Sequence, residues 1–437
     1  MSAVINRSMA DFERLSAALP GQELPWLAAL RRNGLQRFRT EGFPTPRDDA
    51  WRHTNLMGLA GKTFEPVAAG IDDVAIDMTR LLPCDDLPRL VFVDGHYVAA
   101  LSRLPTLSEG VRIDSLATLL REEPAALESM LDGIPAEPLG FAALNTAFMS
   151  DGLCLRLAAG ATLAQPLYVV HVARAGDRPA ATHLRHLIQA GRGARATVIE
   201  HYLGETGAEA LVSAMTRCDL ADGAAVEHYR LNEQEAGAYL FAATHVHQAR
   251  DSRYTGHGVH AGGRIARSEL HAFLEGPGAE CVANGLYLGD DRQTVDNYVS
   301  IEHLAPDCAS RQLFRGVLDG RSRGVFNGKV TVAREAQHTD AQQMNNNLLL
   351  SADAEADSRP QLTINADDVK CSHGSTVGQI DADALFYLRT RGLGEADARA
   401  MLVRAFAEKV LARMGEERIR QRIGEIVDAR LGARAGA

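Results

Sequence analysis

The chain of 437 residues has six cysteines and no C-x-x-C pair. Cys84, Cys154, Cys218, Cys281, Cys308 and Cys371 are too scattered to spell out a zinc ribbon or a ferredoxin-type cluster. So few thiols in so long a chain point to a reducing compartment and free cysteines. Aromatic residues make up 5% of the chain, a poor supply for a groove that stacks on sugars. No stretch approaches the roughly 18 consecutive apolar residues of a membrane span. The opening MSAVINRSMADFERL has no apolar h-region, so neither a span nor a signal peptide is expected, and the location expected is cytoplasmic. A Lys/Arg-rich block is also missing, and the formal net charge is -10. Nucleic acid and anionic membrane are therefore poor partners for this surface.

What is present divides into three parts. Residues 1–150 read as an N-terminal helical or α+β domain. Met9–Leu19 and Pro25–Arg39 carry apolar residues at helical spacing, and Arg31, Arg32, Arg37 and Arg39 are expected on a solvated face. Trp51 is expected to anchor packing. Arg89–Ala99 predicts a hairpin turning at Asp94-Gly95, Ser115 an N-cap for a helix over Ser115–Leu131, and Gly140–Phe148 a short helix.

Residues 151–380 change character. Short alternating apolar runs follow one another with little helical spacing, which excludes an alternating α/β sheet and suits a sandwich, barrel or solenoid. Val325–Val332, Met344–Leu350 and Gln361–Ile364 recur at roughly twenty residues, a rung-like spacing that favours a parallel β-solenoid. Asn345, Asn346 and Asn347 are expected to stack at a rung corner. A solenoid buries each rung against its neighbours, so both ends need caps, and the helical parts before 150 and after 380 are expected to supply them.

Several sets of residues invite a chemical reading. Pro360–Ile364 and Val369–His373 read as strands about a turn at Asn365–Asp368, so Cys371 and His373 share a face. A thiolate beside an imidazole suits iron, copper or zinc, but two ligands do not close a site. His245, His247, His257, His260 and His271 cluster in sequence without a carboxylate at a defined spacing, and are expected as hydrogen-bonded histidines on an exposed face. Gly324–Lys329 fails as a phosphate loop, because its spacing is short by one and Val330 stands where a Ser/Thr is needed. It reads as a strand with an Asn-Gly turn. Asp251, Glu269, Glu275, Glu280 and Asp296 could supply the paired carboxylates of a β-helical carbohydrate-active enzyme.

Residues 381–437 predict three short amphipathic helices. Asp381 caps the first, whose apolar stripe is Leu385, Phe386 and Leu388. Leu402, Phe406 and Val410 mark the second, and Ile419, Ile423 and Ile426 the third. So small a helical set needs a partner surface, its own solenoid or another protein.

Together, WRHTNL at Trp51–Leu56, GFAALNTAF, RGVLDGRSRGVFNGKVTV, TDAQQMNNNLLLS and the block from Ala354 through Cys371-Ser372-His373-Gly374 resemble the SufB/SufD family of the SUF iron–sulfur cluster assembly system, on its SufD branch. The resemblance runs from about Phe43 to Met414. It implies a right-handed parallel β-helix flanked by helical domains, and a non-catalytic scaffold that pairs with a SufB-like paralogue. A SufC-like ABC-type ATPase, which binds ATP and Mg, would dock on the C-terminal helices. The implied metal-ligand positions are Cys371 and His373, holding a nascent iron–sulfur cluster shared with the paralogue. Val369 and Lys370 fall at that implied junction, and Leu385, Phe386, Leu402 and Phe406 at the ATPase surface. The isolated chain would retain no cofactor and could homodimerise through the same edges. Ser-His-Gly in place of Glu-His-Glu disfavours the SufB branch. His53, His338 and Thr363 depart from the tyrosine, lysine and glutamate expected at their positions.

Overall fold

The computed structural model describes residues 2–67, 76–82, 86–131 and 140–432, which leaves Cys84 outside the described residues. Residues from Leu153 to Gly378 form successive strands that alternate between two ten-stranded sheets, each strand pairing in parallel with the next but one. The result is a two-sided parallel β-solenoid. Asp340 pairs with Lys370, and contacts across a turn join residues 30 apart. One turn therefore takes about 30 residues and two strands. The twenty-residue interval read from the sequence is the step between opposite sheets, not the length of a rung.

The alternation along each strand divides inside from outside. In Glu280–Gly289, Cys281, Ala283 and Tyr287 face the core between the sheets, while Leu286 and Leu288 face outward. The core is filled by Leu, Val and Ala with tyrosines among them. The asparagine run behaves differently from the rung-corner stack expected for it. All three residues lie inside strand Asp340–Leu349. Asn345 and Asn347 point inward and bond Tyr287 Oη at 2.9 and 2.5 Å, and Asn346 points out to Thr376. Gly324–Lys329 likewise lies within the unbroken strand Arg323–Val332, with no turn at Asn327-Gly328.

Corners between strands need a left-handed residue. Gly193, Gly223, Asp251, Gly278, Asp307 and His338 all take positive φ there. Each passes its N–H to a carbonyl of the next turn, as Gly278 does to Pro306 and His338 to Asp368. His338, where lysine was the expectation, stands between two aspartates, with Nδ1 2.9 Å from Asp307 and Nε2 3.3 Å from Asp368.

The N-terminal part closes the first end. Strand Val111–Ser115 pairs antiparallel with Leu153–Leu157, and Arg89–Val93 pairs in parallel with Leu167–Ala173 before turning back at Asp94-Gly95. The expected helix over Ser115–Leu131 is two, Leu116–Glu122 and Pro124–Leu131, because Pro124 cannot continue the first. Ser115 caps it by accepting from the Thr118 N–H. Helix Gly140–Phe148 is buried along its whole length between helix Pro25–Glu41 and the first sheet. Gly34 permits that approach, since a Cβ there would lie 2.9 Å from the Ala143 carbonyl. Arg31 is not on a solvated face. It is fully buried and donates to the carbonyls of Pro20 and Met149.

The far end is not capped as expected. Helices Glu395–Leu411 and Glu417–Gly432 lie along the outer face of the second sheet, where Val403, Ala407, Val410, Ile419 and Ile423 meet Tyr229, Leu231, Val259 and Leu286. Strands Glu355–Ile364 and Lys370–Gly378 are the last of their sheets, each with one neighbour.

The tightness of the corners is testable. A Cβ on Gly276 would fall 2.1 Å from Arg250 N and 2.4 Å from Ala249 C, backbone atoms of the preceding turn. Gly276→Ala should lower unfolding free energy by about 2 kcal/mol or more, since backbone must shift to admit the methyl. Urea midpoints check this, and an unchanged midpoint would contradict the corner geometry.

Candidate functional site

Strand Lys370–Gly378 starts one residue later than expected and continues past His373. Val369 precedes it, packed against the edge of the core, and Lys370 is exposed. The register places Cys371 beside Ala341 and His373 beside Gln343, both buried inward residues, and Ser372 beside the exposed Gln342. Cys371 and His373 thus face the inner side of the last turn, where no further turn covers them. Cys371 is half-buried and His373 exposed. Burial pushes the Cys371 thiol up, against a hydrogen bond from the Ala341 backbone that lowers it. A metal that bound there would have to displace the thiol proton. Among the described residues no group of three or more His, Cys, Asp or Glu could hold a metal ion. Cys371 and His373 do not make a ligand set by themselves.

The chain leaves this strand directly for helix Ala382–Thr390, capped by Asp381, whose carboxylate accepts from the Asp383 and Ala384 N–H groups. That helix buries none of its residues. Phe386 is 68% exposed, and Tyr387 after it and Met401 on helix Glu395–Leu411 are exposed too. Leu385 and Leu402 are half-buried. Phe406 turns toward its own solenoid, with the Arg315 guanidinium 4.4 Å from its ring centre and Arg315 donating to its carbonyl. The following helix is tied down by Arg422 on Glu233, which also bonds His201, and by the Glu416 N–H on Tyr229.

The histidine cluster is dispersed over both sheets, and His257, His260 and His271 are buried rather than exposed. His245 and His271 stack at 4.7 Å on adjacent strands, His271 bonds Glu269, and His247 bonds Glu275. The acidic set forms no open pair of carboxylates. Glu269 and Asp296 are both buried against Arg267, Glu280 bonds Arg253, and Asp251 turns a corner.

Arg267 is a residue that sequence reasoning missed. It is 1% exposed and stands 3.9 Å over the Trp51 ring. It bonds Glu269 at 2.6 Å, Asp296, and the Ala50 carbonyl at 3.0 Å. Thr54 donates to the same Asp296. Trp51 is the packing anchor expected of it, stacked on Phe141, which stacks on Phe241. Burial pushes the Glu269 carboxyl up, but Arg267 and His271 outweigh it and hold it down at about 2.

Two family descriptions match this chain. "SUF system FeS cluster assembly, SufBD core domain" covers residues 171–406 and "SufBD protein N-terminal region" residues 6–169. The iron–sulfur cluster assembly protein SufD of Escherichia coli K12 is 33% identical over 399 residues, 91% of each chain. A SufBD family protein of Synechocystis, slr0076, is 30% identical over 95% of this chain and 93% of its own length. SufD of Bacillus subtilis is 24% identical over 94% of this chain and 95% of its own. None of the described helices is long and apolar enough to cross a membrane.

The buried histidines set an acid limit on the fold. Desolvation lowers His183, His245 and His260 to about 3, and His186 and His303 to about 4. Unfolded, each binds its proton near 6.5, so below that pH the unfolded chain holds more protons and stability falls. The loss is about 1–2 kcal/mol for each such imidazole between pH 7 and pH 5. Glu269 adds a second loss as pH drops from 4.5 through about 2. Urea midpoints should fall steeply from pH 7 to pH 5, and a midpoint level across that range would refute the neutral buried histidines.

Proposed function

Since this chain belongs to the SufBD family of SUF iron–sulfur cluster assembly proteins, we propose that it is the non-catalytic, SufD-type scaffold of a three-component complex with a SufB-like paralogue and a SufC-like ATPase. The observation that carries this reading is the open last turn. Two strand edges there offer unpaired N–H and C=O groups, and Cys371 and His373 lie on the inner face between them. A second solenoid that adds its own last strands would satisfy those edges, complete the buried core and bring the missing ligands. A nascent cluster would then sit as cargo between two chains, held here by Cys371 and His373. With no other chain present, two copies of this one can pair by the same edges.

The ATPase would dock on the apolar face of helix Ala382–Thr390, at Leu385, Phe386 and the neighbouring Leu402. ATP and Mg would be held by that partner. Because Asp381 follows so closely on Gly378, a pull on this helix acts directly on the last strand, while the two following helices stay fixed to the second sheet. ATP-driven movement of the docked subunits would strain the junction at Val369–His373 and open Cys371 and His373 to iron and sulfide. The reading of a carbohydrate-active enzyme finds no support in a carboxylate set of which Glu269 and Asp296 are taken by Arg267, Glu280 by Arg253 and Glu275 by His247.

Tagged chain co-expressed with SufB and SufC homologues of its own genome should bring both down, and elution alone from a lysate where both are soluble would sink the scaffold reading. Val377 is 50% exposed at the open end, so Val377→Asp should cost the free chain little and abolish capture of the paralogue. Phe386→Asp should do the reverse, sparing the paralogue and losing the ATPase. Cys371→Ala and His373→Ala should leave the complex intact and slow cluster formation at least tenfold by visible absorbance. Wild-type rates in both would remove these residues from the site.

A further inference from the structure

Between the two sheets the core is not uniformly apolar. One inward register column runs His228, Gly256, Ala283, Gln312, Gln343, His373, each residue paired with the next across successive turns. At about 4.8 Å per strand, the four steps from Gly256 to His373 span roughly 19 Å. Beside Gly256 the core opens into a cavity of about 50 Å³ lined by His228, Arg230, Thr244, Ser268 and Asn297. A buried water needs about 10–15 Å³ of such space, so about three fit. Gly258, the next inward residue on the same strand, leaves its own side-chain volume empty. A Cβ there would meet nothing nearer than His260 Nε2 at 3.8 Å.

Polar atoms are under-used at this space, where Asn297 lines it, and farther along the inner faces, at His260, Gln312 and Gln343. Asn297 Nδ2, both ring nitrogens of His260, and both amide atoms of Gln312 and of Gln343 make no hydrogen bond to the described residues. All four side chains are at least 97% buried. Gln312 is aimed across the core, its Oε1 3.2 Å from where a Cβ would stand on Gly328 of the opposite sheet. Leaving that many buried donors and acceptors unpaired would cost about 1–3 kcal/mol each. Arg230 does not provide the missing partners, because Glu200, Thr244 and Ser268 already take its guanidinium. Glu200 and Arg230 neutralise each other at this end of the column, which favours a neutral polar ligand over an ion.

We propose that the solenoid core binds a file of ordered waters, seated on His260, Asn297, Gln312 and Gln343 and leading from the Glu200–Arg230 pair to the open turn at His373. The waters supply the hydrogen bonds that these side chains lack. The interior is then wet along this part of the core, while the register column Val246, Ala272, Ile301 and Val330 of the opposite sheet stays apolar. The inference does not depend on the scaffold reading, since it concerns the core of the isolated chain.

Water relaxation dispersion on the wild-type chain tests it, because the method counts waters held longer than nanoseconds. At least three such waters are expected. Crystals under xenon pressure add an independent reading, since a dry cavity takes up xenon and a hydrated polar one does not. Xenon in the space over Gly258, or no long-lived water, would overturn the proposal. Gly258→Val should fill the cavity and reduce the count by at least one. Gln312→Leu should remove another, with unchanged or lower stability, because the hydrogen bonds that its amide makes through that water go with it. A Gln312→Leu chain that keeps every water and gains stability would show a dry amide and refute the file. Both wild-type measurements decide the matter even if a variant fails to fold.

Discussion

Everything in this molecule depends on each turn of the solenoid being finished by the next. A strand in the middle of either sheet has its backbone groups satisfied on both sides and its inner face covered by the opposite sheet. No turn achieves this alone. The ends are therefore where the fold must find something other than itself. At the first end the chain solves the problem internally, with an antiparallel strand, a hairpin and helices laid over the opening turn. At the other end it does not. The C-terminal helices, which could have formed a lid, are fixed along the side of the second sheet by Val403, Val410 and Ile423 and by the Arg422–Glu233 pair. An unfinished end in an otherwise finished solenoid leaves strand edges and an inner face uncovered. It is also where the only half-buried free cysteine among the described residues is found.

Local signals in the sequence were legible where a single residue decides the backbone. Asp94-Gly95 turns a hairpin because both residues accept positive φ, and Ser115 and Asp381 cap helices because their short oxygens reach the first N–H groups. Alternation gave the strands, and the inward facing of Cys371 with His373 follows from the same period of two. The length of a turn was not legible, because consecutive strands belong to opposite sheets and their patterns look alike. Nor was the fate of the arginines. Arg31 and Arg267 are buried only because carbonyls and carboxylates far away in sequence converge on them, as the Met149 carbonyl and Asp296 do. A spacing rule sees neither. Phe406 shows the same limit, since its place in a helical stripe does not reveal that Arg315 occupies the face beside it.

The two faces of the second sheet set up a division of labour. Its inner face carries the polar column toward the last turn. Its outer face carries the helices that hold the C-terminal part in place, leaving helix Ala382–Thr390 free of the scaffold's own apolar surface. The same chain thus presents an edge at one place and an unburied helix a few residues later, two kinds of surface that the fold itself leaves uncovered. Their closeness in sequence makes it difficult to load one without disturbing the other.

The clamp of Arg267 between Trp51 and the carboxylates of Glu269 and Asp296 has a consequence for synthesis. Ala50 and Arg267 are 217 residues apart, and Thr54 and Asp296 are 242 apart. At about 5–20 residues per second, a ribosome needs on the order of ten seconds or more to deliver the second half of the clamp after the first. In that interval helix Gly140–Phe148 can already pack on helix Pro25–Glu41 and on strands Ala180–Ala190 and Ala210–Leu220, but the guanidinium that covers the Trp51 ring is still missing. The N-terminal part can therefore settle on the first turns early, while the Trp51 clamp closes only once strand Ile265–Leu274 and Asp296 have been made. The packing of its lone buried tryptophan is thus completed only by a guanidinium more than 200 residues further along the chain.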